Sequence, residues 1–92
     1  MSRMIRAKFE VTGFVQGVGF RYFAMREAMD LGVTGYVKNC YDGSVCIVAE
    51  GDEDSMALFR SRMRSGPARA RVEMCSVEYE DYRGEFTNFV IR

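Results

Sequence analysis

Histidine is absent from all 92 residues, so no imidazole is on hand to serve as general acid, general base or metal ligand. Net charge is absent too: thirteen basic and thirteen acidic residues cancel. No global field therefore draws the chain to nucleic acid or to an anionic membrane, and any preference for anions has to be local. No apolar run reaches the length of a bilayer span, and Met1 to Arg6 contain no apolar signal core. The three cysteines lack metal-ligand spacing and form no disulfide framework, which fits a reducing cytoplasm. What remains is an ordinary globule: 48% apolar residues are enough for one core, and residues 1–92 are expected to make a single domain.

The chain does have glycines in an informative place. Gly13-Phe14-Val15-Gln16-Gly17-Val18-Gly19-Phe20-Arg21 joins an alternating segment to one with helical spacing. Gly17 and Gly19 carry no Cβ, so the backbone between them can take positive φ and gather several N–H groups into one concavity. A helix starting near Phe20 adds its own unpaired N–H groups and the positive end of its dipole. Arg21, in the first turn, sets a permanently charged guanidinium beside the same concavity. Phosphate oxygens are the natural guest. The better-known nucleotide loops do not apply, because no Lys-Ser or Lys-Thr follows the glycines and Tyr22 stands where a dinucleotide fingerprint needs its third glycine.

Ala7, Phe9 and Val11 alternate with Lys8, Glu10 and Thr12, which predicts a strand with one wet face. Phe20, Phe23, Ala24, Ala28 and Leu31 recur at helical spacing as far as Gly32, a suitable C′ residue. Val33 to Asn39 and Ser44 to Glu50 predict a hairpin around Tyr41-Asp42-Gly43. Asp52, Asp54 or Ser55 can cap a second helix with a buried stripe of Met56, Phe59 and Met63, ended by Ser65-Gly66-Pro67. Arg71 to Tyr82 reads as a long strand whose apolar phase changes between Val72/Met74 and Cys75/Val77/Tyr79, so a bulge is expected there. Phe86 to Ile91 supplies a short last strand. The order β-α-β-β-α-β plus a terminal strand is the split βαβ arrangement: α+β, ferredoxin-like, with both helices on one face of an antiparallel sheet. That architecture hosts RNA binders, metal carriers and enzymes alike, so function has to be read from the site.

A second constellation, Gly35-Tyr36-Val37-Lys38-Asn39, is followed by Gly43, Val45 and Gly51. Alone, an Asn at a strand end before a turn reads as a turn residue whose amide caps local backbone. Taken with the first segment, it makes the chain resemble the acylphosphatase family. The first motif is similar to Gly13-x-Val15-Gln16-Gly17-Val18-x-Phe20-Arg21, and the second to Gly35-Tyr36-Val37-Lys38-Asn39, in the same order. Weaker echoes run through Ser65-Gly66-Pro67, Ala70-Arg71-Val72 and the closing Phe89-Val90-Ile91-Arg92.

The resemblance implies hydrolysis of acyl phosphates to a carboxylate and inorganic phosphate, with no metal and no cofactor, by a monomer whose partner is its small-molecule substrate. It implies that Arg21 and the backbone amides of Val15, Gln16, Gly17, Val18, Gly19 and Phe20 hold the phosphoryl group, while Asn39 orients the attacking water. The chemistry agrees. Phosphoryl transfer asks mainly for positioning and for stabilisation of charge on the equatorial oxygens, which fixed N–H dipoles and an Arg supply. A carboxylate leaves without being protonated, so the missing histidine is no obstacle. Two departures from the family pattern stand out: Tyr36 where Trp is commoner, and Cys40 after Asn39 where a threonine hydroxyl is frequent.

Other chemistry is weaker. None of Cys40, Cys46 and Cys75 has an Arg six residues on, so they read as small buried or edge thiols. Asp52-Glu53-Asp54 reads as a helix start rather than a phosphatase nucleophile. The methionines read mostly as core. The alternative function is a catalytically silent binder of phosphate or acyl phosphate; an RNA platform is disfavoured because Ser44-Val45-Cys46-Ile47-Val48 lacks stacking aromatics.

Overall fold

The alternation of Ala7, Phe9 and Val11 does form a strand, and it lies in the interior of the sheet. The computed structural model describes residues 3–92. Its elements run β1 (Met4–Phe14), α1 (Phe20–Leu31), β2 (Thr34–Asn39), β3 (Val45–Asp52), α2 (Glu53–Ser65), β4 (Arg71–Glu80) and β5 (Phe89–Ile91). The strands are ordered β4-β1-β3-β2-β5. β1 is antiparallel to β3 and β4, and β3 to β2, so β1 and β2 point the same way with β3 between them.

Both helices lay their apolar stripes on the same sheet face. Phe20, Ala24 and Ala28 of α1 and Met56, Phe59 and Met63 of α2 are buried against Phe9, Val37 and Ile47. Phe59 is central to this layer, edge-on to Phe9 at 5.5 Å and to Phe89 at 6.0 Å between ring centroids. Burying such a side chain fully is worth roughly 1.5–3 kcal/mol, and truncating Phe59 to Ala would cost about 3–5 kcal/mol with the cavity included.

Four details depart from the sequence reading. The last strand is shorter than expected, Phe89–Ile91, and pairs parallel to β2, so the sheet is mixed. Residues 81–88 carry the chain across the sheet from one edge to the other, and it arrives running in the direction of β2. The bulge falls one step earlier than expected. Thr12 pairs with Met74 but Gly13 with Val72, which leaves Glu73 as the extra residue and turns Met74 outward to 62% exposure. Met74 is not alone: Met4 and Met29 are also exposed, so only Met56 and Met63 are fully core methionines among the described residues. Unbranched methionine tolerates solvent at a strand edge or helix flank, which composition cannot distinguish from a core position.

The outer sheet face is not wet throughout. Arg6 is 4% exposed and Glu50 1%. Arg6 pairs with Glu50 at 3.4 Å, Glu80 at 2.9 Å and Glu85 at 2.9 Å. Glu50 in turn accepts the N–H groups of Arg83, Gly84 and Glu85 at 2.8, 3.2 and 3.0 Å. Burial alone would raise the Glu50 carboxyl, but these N–H groups and the guanidinium outweigh it and hold the carboxyl below its ordinary value. The network fastens the 81–88 connection, with Phe86 packed on Arg6 and on Tyr36. Tyr36 thus keeps the packing role expected of an aromatic at its position.

Candidate active site

The ends of β1, β2 and β5 meet at one end of the sheet, because these three strands share a direction. β1 runs through Val15 into the glycine turn. Gly17 and Gly19 stand at φ 75° and 79°, both left-handed, and a Cβ added at either would meet nothing within 4 Å. Glycine is therefore required by backbone conformation rather than by space.

Gly19 caps α1 with no side-chain hydrogen bond, and the first turn of that helix contains no acidic residue. Its leading N–H groups and positive dipole end therefore have neither a side-chain cap nor a first-turn carboxylate. Arg21 lies in that first turn with its side chain exposed. Asn39 is the last residue of β2, also exposed, its backbone paired with Val45.

A concavity of about 220 Å³ collects these groups: Val15, Gly17, Gly19, Phe20, Arg21 and Asn39 line it, together with Tyr22 and Ile91. A wider depression of about 650 Å³ lies over the outer sheet face, between Lys8, Glu10, Tyr36 and Glu78, but its charges have both signs and it lacks converging backbone donors. Size does not decide between them; chemistry favours the smaller one.

Gln16 and Val18, expected to contribute backbone amides to the phosphate loop, direct their side chains elsewhere. Val18 is 8% exposed and packs into the core. The Gln16 side chain turns toward the β2–β3 turn, where Nε2 donates to the carbonyls of Cys40 and Ser44, each at 2.9 Å. The turn itself is held by Asp42, whose Oδ1 accepts the Ser44 N–H at 3.0 Å and the Ser44 hydroxyl at 2.6 Å. Those bonds, the hydroxyl first, hold the Asp42 carboxyl below its ordinary value.

Tyr22 and Ile91 were missed as lining residues. Ile91 was readable only through its β-pairing: opposite Val37, it lies beside the strand that ends in Asn39. Cys40 is half-buried and interacts with the thiol of Cys46, which burial and then this neighbour push up. Among the described residues, no three His, Cys, Asp or Glu side chains gather as a metal would need.

The family model described as acylphosphatase matches residues 7–91. The chain belongs to the acylphosphatase family. An acylphosphatase of Moorella thermoacetica is 53% identical over 89 residues, covering 97% of this chain and 95% of that one. Another, from Pasteurella multocida, is 48% identical over 90 residues and covers 97% and 99%. The crystal structure of acylphosphatase from Bacillus subtilis superposes with a TM-score of 0.93 at 36% identity, over 96% and 98% of the two chains. The enzyme is accordingly a hydrolase acting on acyl phosphates, on the ferredoxin-like fold expected for it. No helix among the described residues is long and apolar enough to cross a membrane.

Proposed function

We propose that the phosphoryl group of the substrate sits in the concavity of Val15, Gly17, Gly19, Phe20 and Arg21, and that Asn39 presents the water that attacks it. The observation that carries this reading is that a first-turn Arg on α1 and an exposed Asn at the end of β2 face one concavity above an uncapped helix N-terminus. The backbone amides of residues 15–20 and the Arg21 guanidinium bind the equatorial oxygens, where charge must be stabilised as the phosphoryl group transfers. The Asn39 amide accepts one hydrogen bond from the water and fixes its line of attack. Water adds to phosphorus, the P–O bond to the acyl oxygen breaks, and the carboxylate leaves with the bonding pair. The proton of the water goes to a phosphate oxygen. The products are one carboxylate and one inorganic phosphate.

The chain acts as a one-domain monomer in the cytoplasm, a point that light scattering and localisation of a tagged protein check directly. For the site, benzoyl phosphate hydrolysis is measured in excess chelator with Arg21→Ala and Asn39→Ala alongside. Arg21→Ala is expected to weaken inorganic phosphate as an inhibitor and to lower turnover by about 10²- to 10³-fold. Asn39→Ala is expected to lower turnover while phosphate inhibition persists. Loss of phosphate inhibition with near-normal turnover in Asn39→Ala would reverse the assignment of that residue.

A further inference from the structure

The phosphate cradle and Asn39 belong to different parts of the chain, the β1–α1 connection and the end of β2, and in-line attack depends on the distance between them. Among the described residues, the hydrogen bonds that tie residues 15–19 to the turn at residues 40–44 are the two from Gln16 Nε2. Both hydrogens of the amide are used. Their acceptors already serve the turn: the Cys40 carbonyl takes the Gly43 N–H at 3.1 Å, and the Ser44 carbonyl takes the Cys40 N–H at 2.9 Å. Gln16 therefore clamps the mouth of the hairpin one residue beyond Asn39, using a side chain that faces away from the phosphate concavity.

We infer that Gln16 is a positioning residue, which sets the separation between the bound phosphoryl group and the water held by Asn39. The inference rests on the proposed roles of Arg21 and Asn39. Reacting atoms need to meet at about 3–3.5 Å, and a misplacement of about 1 Å can cost on the order of 100-fold in rate. The clamp is made by the Gln16 side chain, whereas the Gln16 group assigned to phosphate binding is its backbone amide, which every side-chain variant retains. Loss of the clamp therefore separates turnover from affinity.

The test compares Gln16→Met, which keeps the reach but removes both N–H donors, with Gln16→Asn, which keeps the amide but is one methylene shorter. Each is assayed for benzoyl phosphate turnover and for inhibition by inorganic phosphate, alone and combined with Asn39→Ala. Expected are a roughly 10- to 100-fold fall in kcat, less than about threefold change in phosphate inhibition, and partial recovery in Gln16→Lys, which restores a donor. Because Gln16 acts through Asn39, the double variant should be little slower than Asn39→Ala itself. Should Gln16→Met fail to fold, Gln16→Asn carries the same comparison. A kcat within twofold of the parent, a parallel loss of phosphate inhibition, or fully multiplicative losses in the double variant would each overturn the assignment. If Asn39→Ala alone left kcat intact, the roles proposed for the site would fall and the positioning role with them; if only the Gln16 variants were silent, the site would stand without it.

Discussion

Helix α2 closes its own N-terminus, whereas α1 leaves its N-terminus open. At α2, Asp52 accepts the Ser55 N–H at 2.9 Å and the Ser55 hydroxyl at 3.0 Å, and Glu53 and Asp54 follow in the first turn. At α1, a left-handed glycine replaces the cap, no acid follows, and Arg21 adds a cation. An isolated helix would be more stable with the first arrangement. On the proposed assignment the phosphoryl group completes the second, so the contrast sets a helix start capped by its own side chains against one proposed to receive a ligand.

Reversing the charge of the open start should have the largest effect. Arg21→Glu gives α1 the acidic first turn that α2 has, and kcat/KM for benzoyl phosphate should fall by about 10³-fold or more. A smaller effect follows from capping. Gly19→Asp offers the helix its own carboxylate, at the price of a backbone held at φ 79°. Inorganic phosphate should then inhibit about tenfold to 100-fold more weakly, as seen from its inhibition constant, because the carboxylate repels the anion and competes for the same N–H groups.

The closed start should respond in the opposite sense. Asp52→Ala should lower Tm by roughly 2–8 °C and leave turnover within about twofold of the parent. The smallest effect lies in pH. The Ser55 N–H and then its hydroxyl hold the Asp52 carboxyl below its ordinary value of 3.8. Its contribution to stability is present above about pH 3.8 and is lost as pH falls through the lower folded-state value. In Asp52→Asn, which caps without titrating, acid unfolding scans should show a shallower loss of stability below that pH; an unchanged slope would mean that other carboxylates, Glu50 foremost, account for the acid response.

Much of this was legible from local pattern. The stripe of Met56, Phe59 and Met63, a cap among Asp52, Asp54 and Ser55, and the left-handed pair Gly17 and Gly19 each follow from spacing or from one residue's conformational range; all three are found, the cap falling to Asp52. The features not foreseen depend on groups brought together across the chain. Nothing near Glu50 in sequence indicates that the N–H groups of residues 83–85 will satisfy it, and an apolar strand gave no reason to expect a buried ion pair with Arg6. The parallel pairing of β5 follows from where the 81–88 connection crosses, which no periodicity encodes. At the site, Arg21 and Asn39 came from motif, while the Gln16 clamp and the Ile91 wall required the fold.

The interior place of β1 also bears on how the protein assembles. Both of its neighbours come later in the chain, and Arg6 reaches Glu80 across 74 residues. Long loops must close before the first strand is paired, from Val11 to Val45 on the β3 side and from Phe14 to Arg71 on the β4 side at the shortest, which slows folding for a chain of this size. During that interval β1 exposes two unpaired edges, each a template for a strand from another molecule. Refolding yield should therefore fall as protein concentration rises, while the finished enzyme, with β1 covered on both sides, is indifferent to it.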